Sequence, residues 1–259
     1  MERVQTIVMR NLKVVLAYDG AELFGWQVQP DRETVQGILA TAIGRLTGEK
    51  VLPQGSGRTD AGVHALAQVA TFATESPIPA ENLAKALNDI LPAAIRVLEV
   101  AEVSPEFHAR KSARAKTYRY RIYRRAICPP FLARYVWHYP YPLDEDAMGR
   151  AAGLVVGQHD FTSFAAVEPE RGREEELVSN LRHIFASSWV RDGEELVYTV
   201  RGSGFLHHMV RNLVGTFLLV GKGTLASSDV TRILAARDRS SAGATAPASG
   251  LYLLAVEYE

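Results

Sequence analysis

The sequence predicts an α+β fold with mainly antiparallel sheets, arranged as two halves of one type. Three observations carry that expectation. Segments whose apolar residues alternate with period two interleave along the chain with segments of period 3.6. The order in the first half, β-α-β-β-α-β, is the split βαβ or ferredoxin-like pattern, and the second half repeats it loosely. At 259 residues, 47% hydrophobic and 22% charged, the chain is long enough for two ordinary domains with real cores.

Taken in order, "NLKVVLAYDG" is a strand ending at the Asp19-Gly20 turn. "ETVQGILATAIGRLTGE" sets Val35, Ile38, Leu39, Ala42, Ile43 and Leu46 on one helical face, with Thr34 as N-cap and Gly48 beyond the end. A short strand near Val51 and a longer one, "LAQVATF", come next. "PAENLAKALNDILP" puts Leu83, Leu87, Ile90 and Leu91 on one face of a helix between two prolines, and the strand "AIRVLEV" closes the first half. In the second half, "AKTYRYRIYRR" is a strand and "LDEDAMGRAAGLVVG" a helix capped by Asp144 and closed by Gly157. "LRHIFASSWVRDGEELVYTVRGSG" is a hairpin turning at Asp192-Gly193. The helices "FLHHMVRNLVGTFLLVG" and "SSDVTRILAAR" and the strand "GLYLLAVEY" complete the chain. The expected division is an N-terminal domain, 1–109, and a C-terminal domain, 110–259, that carries the basic strand, the helix with Arg211 and the final strand. No linker composition marks the junction, so the sheets are expected to join around a cleft.

The single cysteine, Cys128, excludes an internal disulfide and points to a reducing compartment. The N-terminus lacks the apolar run of a secretory signal. The longest apolar run is broken by His207, His208, Arg211 and Asn212, which makes it a poor membrane span. A soluble, cytoplasmic protein is expected. Its 29 basic and 29 acidic residues cancel, but the distribution is uneven. Nine lysines and arginines and no acid lie between Phe107 and Arg134, while Glu168, Glu170, Glu174, Glu175 and Glu176 cluster later. Such a basic stripe can hold phosphates in a neutral protein.

"GSGRTDAGVHA", residues 55–65, is the densest cluster of chemistry-bearing residues. It fails as a phosphate loop, because position 60 is Asp and the segment that follows reads as a strand, with no helix N-terminus to hold the phosphate. A turn, or a catalytic use of Asp60, remains. Arg211 is the only fixed charge from Ser203 to Gly221. A guanidinium in such apolar surroundings must either reach round to solvent or meet an anion, and Asp60 is the carboxylate to test. Tyr118 lies in the basic strand, where Tyr118, Tyr120 and Ile122 alternate with Thr117, Arg119, Arg121 and Tyr123. That pattern reads as a core face backed by a solvated one, or as an aromatic and cationic surface for nucleic acid. The seven histidines form no ligand motif, and no metal is expected.

"GRTDAGVHA", "KTYRY", "GFLHHMVRNLVG" and "APASGLYL", with "VLAYDGAELFGWQ" and "GQHDFTSFA", resemble the motifs of the tRNA pseudouridine synthase A family over nearly the whole chain. No motif position departs from the pattern, and "EPERGREEEL" lies outside the motifs. The resemblance implies isomerisation of uridine to pseudouridine at positions 38, 39 and 40 of the tRNA anticodon stem-loop, without metal or organic cofactor. It also implies a homodimer, and two ferredoxin-like halves whose sheets join around a central catalytic cleft. By motif position, Asp60 is the catalytic aspartate, Arg58 and Arg211 its arginine partners, Tyr118 the aromatic against the target base and Leu251 part of the pocket wall. Arg58 is the candidate to fill the gap left by the flipped base, and Arg110, Lys111 and Arg114 to hold RNA backbone. The alternative is a tRNA-binding or folding factor with no chemistry of its own.

Overall fold

The computed structural model describes residues 9–166 and 179–258; the glutamate cluster at 168–176 lies outside the described residues. The chain divides into two units, Met1–Ala113 with Leu253–Glu259, and Arg114–Tyr252. The last residues of the final strand therefore belong with the first unit.

In the first unit, β1 (Arg10–Tyr18) is flanked by β3 (His64–Thr74) and β4 (Ile95–Val103), antiparallel to both. A two-residue strand, β2 (Gln54–Gly55), pairs antiparallel with β3; it lies three residues beyond the expected strand at Val51. Alternate residues of β1, Leu12, Val14, Leu16 and Tyr18, are buried. Val35, Leu39 and Ile43 of α1 (Val35–Thr47) and Leu83 and Leu87 of α2 (Ala80–Ile90) are buried as well. Full burial of each such side chain contributes about 1.5–3 kcal/mol. Both ends of α1 follow from its residues: the Thr34 side chain accepts from the Gly37 amide, and Gly48 closes the helix at φ 77°.

In the second unit, β5 (Ala115–Tyr123) pairs antiparallel with β9 (Glu195–Gly202), β9 with β8 (Leu181–Asp192), and β8 with β7 (Gly157–Asp160). A short strand, β6 (Trp137–His138), runs parallel to β5 and follows the single-turn helix α3 (Pro130–Ala133). The β8–β9 turn differs from expectation by one residue. Asp192 pairs with Glu195, so Gly193, at φ 56°, and Glu194 form the two-residue loop. Helix α4 (Glu145–Gly153) is capped as expected, with the Asp144 carboxylate accepting from the Ala147 amide at 2.8 Å, but it stops before Gly157, which instead opens β7.

Helix α5 (Met209–Gly221) departs most from its sequence reading. It starts at Met209 rather than Phe205, because His208 sits at φ 58°, a left-handed conformation outside any α-helix. It is also buried on nearly every side: of its thirteen residues only Arg211 and Leu219 keep partial exposure. One of its faces is covered by the chain after α6 (Asp229–Ala236). Thr216 Oγ1 accepts from the Gly243 amide at 2.9 Å, and a Cβ on Gly215 would stand 1.8 Å from the Ala244 carbonyl oxygen. Alanine there gains about 1 kcal/mol of helix propensity, but overpacking against backbone costs about 1–3 kcal/mol or more. The clash wins, and Gly215→Ala is expected to lower the unfolding midpoint in a thermal melt.

Candidate active site

The Asp60 loop is rich in glycine yet tightly held. Trp26 donates its amide to the Thr59 carbonyl at 3.0 Å, Val63 to the Asp60 carbonyl at 3.1 Å, and Gly62 to the Leu23 carbonyl at 3.2 Å. The Thr59 hydroxyl hydrogen-bonds that of Tyr18 at 2.9 Å. Gln68, buried on β3, donates to the Gly57 carbonyl at 2.9 Å and accepts from the Ser56 hydroxyl at 2.7 Å. The glycines serve close approach more than freedom. The Trp26 ring lies where a Gly55 side chain would be, 2.5 Å from its Cβ position, and Gly25, at φ 80°, lets the Thr59 carbonyl in to 2.4 Å of its own. Along this frame Arg58 is exposed, Thr59 points into the core and Asp60 is half-buried. The result is one carboxylate on a rigid turn.

Tyr118, Arg211 and Leu251 all belong to the second unit. Tyr118 stands opposite Val200 on β9, with its ring edge-on to Phe205 at 4.9 Å and only 8% exposed. Tyr118, Tyr120 and Ile122 are all buried, so the alternation of β5 is a core face. Arg211 is half-buried and donates from Nε to the Ala246 carbonyl at 2.7 Å, while the Ala246 amide returns a bond to the Arg211 carbonyl at 3.1 Å. Its charge is close enough to Tyr120 to oppose the rise that burial imposes on that phenol. Tyr120 donates to the Pro247 carbonyl at 2.7 Å and its ring fills the space beside Gly250, which fixes the chain entering Leu251, itself buried.

The family model described as tRNA pseudouridine synthase matches residues 14–110 and 151–259. The chain is 52% identical over 250 residues to the tRNA pseudouridine synthase A of Solibacter usitatus, covering 96% of this chain and all of that one. Identity to the proteins of the same name from Moorella thermoacetica and Caldicellulosiruptor saccharolyticus is 49% over 253 residues and 43% over 250, with the same coverage. The chain belongs to the tRNA pseudouridine synthase family.

In this synthase fold six of the nine cations of the basic stripe fall into two groups. Arg121 makes a bidentate pair with Glu195, at 2.7 and 2.6 Å, and that carboxylate holds its guanidinium above the ordinary arginine value. Arg125 pairs with Glu194 at 2.7 Å, and Arg124 donates to the Tyr139 and Tyr141 carbonyls. These three arginines are engaged within the protein by partners that are remote in sequence. Arg110, Lys111 and Arg114 are exposed instead; the first two follow a turn in which His108 Nδ1 accepts both their amides. The sequence reading missed the residues that seat Arg211. Asn212 donates to the Phe164 carbonyl at 2.7 Å and accepts from Arg239 at 2.9 Å and Thr245 at 2.7 Å, so it ties the segment carrying Ala246 to α5. An asparagine beside Arg211, on a mostly apolar helix, was the available signal.

Proposed function

We propose that this chain isomerises uridine to pseudouridine at positions 38, 39 and 40 of the tRNA anticodon stem-loop, with Asp60 acting at C1′ or C2′ of a flipped nucleotide. The observation that carries the reading is the Asp60 turn, a half-buried carboxylate on backbone fixed at Gly57, Thr59 and Asp60 itself. The reaction breaks N1–C1′, turns the uracil and forms C5–C1′; the base gains a proton at N1 and loses one from C5. No electrons enter or leave. One carboxylate suffices to meet the electron-poor sugar carbon, as nucleophile or as base, because the uracil is recaptured and no water needs activation. Arg211 supplies the cation that keeps such a carboxylate ionised and aimed where desolvation would protonate it. Tyr118 faces the base and its hydroxyl handles the C5 proton. Arg58, already exposed, fills the place of the flipped base, at a stacking cost of a few kcal/mol. Leu251 walls the pocket.

The finer architecture is part of the same proposal. The first unit's strand order, β4-β1-β3-β2 with antiparallel pairs throughout, supports a ferredoxin-like half. Two such halves, 1–109 and 110–259, with sheets joined at a catalytic cleft, in a cytoplasmic homodimer, complete the reading. Among the described residues no helix is long and apolar enough to cross a membrane. Mapping pseudouridine on tRNA transcripts that differ only in the anticodon arm tests the specificity: product at 38–40 supports it, and product confined to another arm removes it. Neutralising Arg110, Lys111 and Arg114 together is expected to weaken tRNA binding and flatten its salt dependence by about two units of log K against log salt. An unchanged slope in a filter-binding titration would move the RNA path elsewhere.

A further inference from the structure

Tyr18 closes β1 at a point where the sheet is irregular. Leu16 pairs with Gln68, but Tyr18 pairs with Ala65, so β3 carries one extra residue between them. Such a bulge re-aims the side chains beside it. Tyr18, 4% exposed, brings its hydroxyl to Thr59 Oγ1 at 2.9 Å, with the Gln68 amide 3.5 Å from the same oxygen. Packing alone does not need that hydroxyl, since phenylalanine would fill the same space. Burial pushes the Tyr18 phenol up to about 12, so at neutral pH it is a neutral hydrogen-bonding group and not a base.

We infer that Tyr18 is a positioning residue for Asp60, acting through the Thr59 hydroxyl; this rests on the reading of Asp60 as the catalytic group. Thr59 is gripped at both ends, its side chain by Tyr18 and its carbonyl by the Trp26 amide, and the Asp60 carbonyl is tied to Val63. With the backbone on either side of the aspartate Cα fixed, the carboxylate keeps only its own side-chain torsions. Removing the Tyr18 hydroxyl releases the side-chain anchor directly before Asp60, and small displacements of a reacting group cost rate rather than binding.

The test uses the full chain and reads two quantities, single-turnover pseudouridine formation at saturating protein and the tRNA dissociation constant. Tyr18→Phe and Thr59→Val are each expected to slow turnover about tenfold with the dissociation constant unchanged. The double variant is expected to be no slower than either single one, because one hydrogen bond is lost in all three. Thr59→Ser, which keeps the hydroxyl, is expected to turn over at the wild-type rate. If Tyr18→Phe does not fold, the Thr59→Val and Thr59→Ser pair carries the comparison. Wild-type rates in the single variants while Asp60→Ala is inactive, or losses that multiply in the double variant, overturn the positioning role alone. An active Asp60→Ala overturns the catalytic reading beneath it.

Discussion

Asp60→Asn is expected to abolish pseudouridine formation, lowering single-turnover rates by at least about 10²–10⁴, the range over which a removed general base or nucleophile acts. Asparagine is nearly isosteric and cannot attack a sugar carbon or take a sugar proton, so the loss isolates the charge. Fold and binding should survive. The bonds through the Asp60 carbonyl, the Thr59 carbonyl and hydroxyl and the Gly57 carbonyl are untouched by the substitution. The tRNA dissociation constant and the thermal midpoint are the controls. A variant that folds, binds and still converts uridine at the wild-type rate would remove Asp60 from the chemistry.

The second large effect is expected at Arg211. Arg211→Ala should cost about a hundredfold or more in rate, the scale of a lost charge at a reacting centre, while tRNA binding changes little. The reason lies in its seat on α5, where it is half-buried, hydrogen-bonded to the Ala246 carbonyl and surrounded by buried neighbours. Under the proposed function, a guanidinium so placed serves a local anion rather than a phosphate backbone. Losing the bond to Ala246 costs about 1 kcal/mol of stability, a modest shift in a melt. Arg110, Lys111 and Arg114 should behave in the opposite sense, with weaker binding and an intact rate at saturation. Equal loss of binding and rate at Arg211 would refute that division of labour.

How much of this was legible in the sequence depended on whether the deciding partner was near in the chain. Helix α1 was readable at both ends, because its cap, Thr34, and its stop, Gly48, lie within the segment. Helix α2 was framed by its prolines. The start of α5 was not, since nothing in "HHMV" marks His208 for φ 58°. Its all-round burial was hidden too, because the cover comes from Gly243 to Ala246, some thirty residues on. Part of the basic run was opaque for the same reason: nothing near Arg121 and Arg125 in the chain shows that Glu195 and Glu194 at the β8–β9 turn reach back to them. Of the candidate residues, Asp60 and Arg211 stood out by residue type and isolation, and Arg58 through the family resemblance. The supporting Tyr18, Gln68 and Asn212 did not, because a buried strand tyrosine or a helix asparagine shows its purpose only through its hydrogen bonds.

In the proposed function, Asp60 carries the conversion of uridine to pseudouridine in the anticodon arm. Chemical mapping of pseudouridine on one unmodified tRNA transcript carrying uridine at 38, 39 and 40, after incubation with the wild-type chain or with Asp60→Ala, tests it most directly. Pseudouridine is expected at those positions with the wild-type chain and none with the variant, at equal tRNA occupancy. Pseudouridine at the same positions and the same rate with both proteins, or with neither, would contradict it.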